Sequence, residues 1–77
     1  MKIFELIPTN GRKSFYGKAK AIETDDGEKI LLSYDTQVLK IDKGGNLAKL
    51  WNGKSNTTAA HIKAFCEFYG VDFRGVV

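Results

Sequence analysis

Three turn signals recur every eight to ten residues through the middle of the chain: Asp25-Asp26-Gly27, Asp35-Thr36 and Lys43-Gly44-Gly45-Asn46. The segments between them are too short for a crossover helix, which parallel strands need, so consecutive segments must fold back as antiparallel hairpins. Glycine at such corners accepts the positive φ of hairpin turns. This spacing constrains the fold more than any other feature and predicts an antiparallel meander.

The segments read as strands by alternation. Ile3 to Ile7 is a short apolar run closed by Pro8, a strand or an extended lead-in, and Thr9-Asn10-Gly11 is a turn. Phe15 to Ile22, Lys29 to Tyr34, Gln37 to Asp42 and Leu47 to Trp51 follow as strands. After the loop at 52–56 the period changes. Ala59, Ile62, Phe65, Cys66 and Tyr69 form one apolar stripe at helical spacing, which predicts a helix over 57–69. Ser55, Asn56 or Thr57 can cap its start, and Gly70 suits the left-handed position after its end. The tail, Val71 to Val77, is a further candidate edge strand.

A helix with a single apolar stripe must bury it, and the meander is the only surface available. The expected fold is α+β: a four- or five-stranded antiparallel meander sheet with one C-terminal helix packed on one face. With 77 residues there is room for one domain, 1–77.

Composition excludes several classes. A single cysteine, Cys66, cannot staple the fold internally, which argues against a disulfide scaffold and for a reducing, cytoplasmic setting. Met1 to Pro8 lacks a secretory h-region, and no apolar stretch reaches the ~20 residues of a membrane span. The net charge of +3 permits an anionic partner without requiring one.

Choosing the register by burial puts Phe15, Ala19, Ala21, Ile30, Leu32, Leu39, Ile41, Ala48 and Leu50 beneath the helix. The other face would then present Tyr16, Lys18, Lys20, Lys29, Lys40, Lys49 and Trp51. Arg12 and Lys13 adjoin it, and the stretch from Arg12 to Lys20 holds four basic residues and no acidic one. A sheet face with lysines and rings can bind single-stranded nucleic acid, bases stacking while ammonium groups meet phosphates. Lysine is also ordinary on a solvated sheet and protects edges from aggregation. The residues Arg12, Lys13, Tyr16, Lys18, Lys20, Lys40, Lys49 and Trp51 form the candidate binding surface.

No catalytic, cofactor or metal site is read from the sequence. His61 is the only histidine, and one His with one Cys shows no ligand spacing. Cys66 falls near the helix end on its apolar stripe, as a small core residue rather than an activated thiol. Gly53-Lys54-Ser55 resembles the end of a phosphate-binding loop, but the required upstream glycine would fall at Ala48.

The segments Asn10 to Ala19, Ser33-Tyr34-Asp35-Thr36, Leu50 to Gly53 and Thr57-Thr58-Ala59-Ala60-His61-Ile62 resemble a small uncharacterised family of Firmicutes-type bacteria and their phages. The family has no established activity. The resemblance implies a cytosolic setting and a phage or mobile-element origin.

The expected function is therefore a non-enzymatic protein-interaction module that binds a host or phage protein. Tyr16, Tyr34, Trp51 and Arg12 are of the residue types that dominate hot spots. Homodimerisation is a special case of this reading. The second reading is nucleic-acid binding through a basic, aromatic sheet face.

Overall fold

A computed structural model describes residues 1–8, 14–53 and 55–72. The elements run β1 (Lys2–Glu5), β2 (Ala19–Glu23), β3 (Lys29–Ser33), β4 (Thr36–Ile41), β5 (Leu47–Lys49) and α1 (Asn56–Tyr69). The strands form one five-stranded sheet in sequence order, and every neighbouring pair is antiparallel. The fold is the expected meander with one helix on it.

Two hairpins use the same three-residue loop. Thr24 and Glu28 close the first and Asp42 and Asn46 the second, with Gly27 (φ 92°) and Gly45 (φ 87°) in the left-handed place. The Asp42 carboxylate accepts from the Gly44 and Asn46 amides, both at 2.9 Å. Those bonds, Asn46 first, hold its pKa below the ordinary aspartate value. The β3–β4 turn is different. Its two central residues, Tyr34 (φ 50°) and Asp35 (φ 69°), are both left-handed and neither is glycine. The β-carbon makes this conformation cost about 1–2 kcal/mol at Tyr34 and less at Asp35, whose short polar side chain is better tolerated there.

The helix starts where Ser55 Oγ accepts from the Thr58 amide at 3.3 Å. It ends in a left-handed Gly70 (φ 69°), with Gly70 N–H donating to the Glu67 carbonyl and Val71 N–H to that of Cys66. It lies over β3 and buries His61, Ile62, Phe65 and Cys66 against Ala19, Ala21, Leu31, Leu39 and Ile41. Cys66 is in the core, as its place on the stripe requires. At the far end of the helix, Tyr69 Oη donates to Glu23 at 2.8 Å.

The pairing corrects the expected register. Ala19 opposes Ser33 and Ala21 opposes Leu31, so Leu31 and Ser33 face the helix while Ile30 and Leu32 face away. Ile30-Leu31-Leu32 is apolar at every position, so alternation within β3 satisfies either face, and a one-residue slip exchanges them. Ala48 and Leu50 are corrected likewise: Ala48 pairs with Lys40 on the far face, Leu50 is exposed, and Leu47 packs on the core. Lys29 lies on the helix side, with Nζ 5.7 Å from the Tyr69 ring centroid. β4 carries a bulge: Leu31 opposes Leu39 but Leu32 opposes Gln37, leaving Val38 as the extra residue. Val38 and Leu39 are consequently both buried.

The expected strand from Phe15 is shorter than its pattern. Phe15 is buried as expected, but residues 15–18 form a turn closed by Lys18 N–H donating to the Phe15 carbonyl, with Tyr16 at φ 55° and Gly17 at φ 77°. Strand geometry starts only at Ala19. β5 ends at Lys49 rather than Trp51. The candidate tail strand lies mostly outside the described residues.

Candidate functional site

The sheet face away from the helix is aliphatic. One row across it reads Ile3, Ile22, Ile30, Lys40, Ala48, and the next Glu5, Lys20, Leu32, Gln37. Ile3 is 55% and Leu50 45% exposed, and Ile22, Ile30 and Leu32 are partly exposed. Among the described residues no helix or strand covers this face. Its charges come in opposite signs. Lys40 Nζ lies 3.3 Å from Glu28 Oε2, and Lys20 stands opposite Glu5 in the β1–β2 register. At the β1 edge, Ile7 and Phe68 are exposed beside a groove of about 370 Å³ rimmed by Glu5 and Glu67.

A second feature lies at the end of the sheet near the helix start. A recess of about 250 Å³ is bounded by Ser14, Tyr16, Lys18 and Tyr34 on one side and Thr57 and His61 on the other. Tyr16 is 80% and Tyr34 50% exposed. Lys18 Nζ stands 5.5 Å from the Tyr34 ring centroid, a cation–π distance. The Tyr16 amide donates to Ser14 Oγ at 2.8 Å, which holds the turn.

His61 sits at the base of the recess and is 1% exposed. Its Nδ1 is 2.7 Å from the buried Ser33 Oγ, which is also 3.4 Å from Thr58 Oγ1. The Phe15 ring meets the imidazole edge-on with centroids 4.6 Å apart, and the Tyr34 ring lies at 5.6 Å. Ser33 carries no sequence signal beyond its place in a hydroxyl-rich turn. Its role arises because β3 ends opposite the first turns of the helix. Cys66 is fully buried, and desolvation first, with the Asp72 charge second, pushes its thiol up to about 11.

The candidate surface residues therefore divide. Tyr16 and Lys18 meet at the recess. Lys20 and Lys40 share the aliphatic face. Lys49, opposite Leu39, falls on the helix side of the edge strand. Trp51 is half-buried against the core, its ring laid over Gly53, where an added Cβ would stand 2.2 Å from Trp51 Cζ2. Trp51 does not stand on the open face. Arg12 and Lys13 lie outside the described residues. No described helix is long and apolar enough to cross a membrane.

No curated protein and no solved structure shows significant similarity to the chain. The model of one protein family, a family of unknown function (DUF8033), matches residues 2–74. With nearly its whole length matched, the chain belongs to that family.

Proposed function

We propose that the chain is a small non-enzymatic interaction module, of phage or mobile-element origin, that acts in the bacterial cytoplasm and binds a host or phage protein through the aliphatic face of its sheet. The supporting observation is the uncovered row Ile3–Ile22–Ile30 with Leu32 in the next row, and Leu50 exposed just past the end of β5. Branched aliphatics of this kind normally pack against another layer, and an exposed apolar patch with a polar rim is the usual mark of a protein interface. A second copy of the chain is one such partner.

Nucleic-acid binding through the same face has less support. Lys20 and Lys40 are matched there by Glu5 and Glu28, and neither row contains an aromatic residue. A single-strand platform needs rings to stack on and net positive charge.

The test compares wild type with Ile30→Lys and Leu50→Glu, each verified as folded by circular dichroism. Sedimentation velocity reads self-association, and affinity capture from bacterial extract reads other partners. The proposal requires an association that the wild type makes and both variants lose. Equal behaviour of wild type and variants in both assays overturns it.

A further inference from the structure

We infer that the recess between Tyr16, Lys18, Tyr34, Thr57 and His61 is a binding site for a nucleotide-class ligand, one planar base carrying a phosphate. The site lies at the end of the sheet, apart from the aliphatic face, and stands independently of any protein partner.

The size selects the ligand first. At about 250 Å³ the recess falls below the usual range for drug-sized molecules, roughly 300–1,000 Å³. It suits a single ring system with one small substituent outside. The surfaces select the ring. Two tyrosines with large exposed areas, 80% at Tyr16 and 50% at Tyr34, flank the opening. Such rings offer stacking faces to any planar π-system. The Tyr34 ring lies beside His61, with centroids 5.6 Å apart.

The charge selects the substituent. Lys18 is the one charged side chain among the described residues that line the recess, and its ammonium group is already near the Tyr34 ring. A base that takes the place of the ammonium group over the Tyr34 ring would free that lysine to meet an attached phosphate. Thr57, in the first turn of α1, places the positive end of the helix beside the same opening.

The polar groups separate a nucleobase from a plain aryl ring. The lining includes Ser14 and Thr57, which carry hydroxyl groups, while the imidazole of His61, 1% exposed, closes the floor. Ser33 at 2.7 Å fixes the orientation of that imidazole. A base edge carries donors and acceptors that can meet the two hydroxyl groups. A phenyl ring would desolvate them without replacement. The same chemistry is present in a free nucleotide and at the 5′ end of a single strand.

The test is a titration of the full chain followed by ¹⁵N–¹H correlation spectra. The probes are uridine and adenosine 5′-monophosphates, a 5′-phosphorylated tetranucleotide, the matching nucleosides, phenyl phosphate and inorganic phosphate. Expected are saturable shifts at Tyr16, Lys18, Tyr34 and Thr57 with a nucleotide or the tetranucleotide. The stronger of those two names the source. Nucleosides and phenyl phosphate should bind about tenfold more weakly, as should Lys18→Ala and Tyr34→Asn with the preferred probe, the worth of one charge contact or one stacked ring. Asn tolerates the left-handed backbone at 34, so the second variant keeps the turn. No saturable shift at millimolar concentrations overturns the inference. Phenyl or inorganic phosphate binding as tightly as the nucleotides overturns the ligand class, and unchanged affinity in both variants overturns the location.

Discussion

Ser33 Oγ lies 2.7 Å from His61 Nδ1, and the two residues are 2% and 1% exposed. This contact ties the end of β3 to the second turn of α1, next to the left-handed turn at Tyr34 and Asp35. A buried polar pair of this kind contributes little in net terms when made but is costly to break, because the remaining partner has already been desolvated. Ser33→Ala should therefore lower stability by about 1–3 kcal/mol. Urea denaturation of the variant checks this, and a change below about 0.5 kcal/mol, the range of ordinary surface substitutions, would show the contact to be dispensable.

The turn beside it stores strain that can be released. Asp35 sits at φ 69° in the second central position of a two-residue hairpin loop, where glycine is preferred. Asp35→Gly removes a penalty of up to about 1 kcal/mol and adds a smaller cost from the freer unfolded chain. A net gain of several tenths of a kcal/mol is expected, seen as a rise of a few degrees in Tm. A fall in Tm would mean that the Asp35 side chain contributes more than its backbone costs.

Gly53 should prove nearly irreplaceable for a different reason. Its φ is not left-handed, yet a Cβ there would stand 2.2 Å from Trp51 Cζ2. Gly53→Ala must push the indole off its seat against the core. Overpacking of this kind typically costs about 1–3 kcal/mol. Trp51 is the only tryptophan, so its emission reports the displacement directly. A red shift with reduced Tm is expected, and an unchanged spectrum would place the ring elsewhere in solution.

Local chemistry was legible in the sequence wherever one or two residues decide the outcome. Gly27, Gly45 and Gly70 each mark a left-handed position, and Ser55 caps the helix within one turn. Which face of the sheet is buried depends on a competition between strands. Ile30-Leu31-Leu32 accepts either answer, and the small pair Ala19 and Ala21 settles it by opposing Ser33 and Leu31. An expected basic and aromatic face thereby becomes an aliphatic one. Trp51 could not be placed by alternation because β5 ends two residues before it. The recess gathers residues from three separate segments, at 14–18, 34 and 57–61. Its assembly follows from the tight turn at Tyr34-Asp35, which contains no glycine to announce it.

The burial of Cys66 makes a prediction about pH. In the unfolded chain its thiol ionises near 9.0, whereas in the fold it is pushed up to about 11 by desolvation and by the Asp72 charge. Between those values the unfolded state loses its proton first. Fewer protons on the unfolded chain mean that stability falls as pH rises, so the contribution is whole below pH 9 and is lost toward 11. The Tyr69 hydroxyl, raised by desolvation and by its bond to Glu23, acts in the same direction. Thermal unfolding from pH 8 to 10.5 should show a falling Tm, and Cys66→Val should flatten the part of the slope that belongs to the thiol. At pH 8 the native thiol should resist iodoacetamide and react once urea exposes it. Rapid alkylation of the native protein would show that the helix opens on the timescale of the reaction, because a closed core leaves this sulfur neither ionised nor accessible.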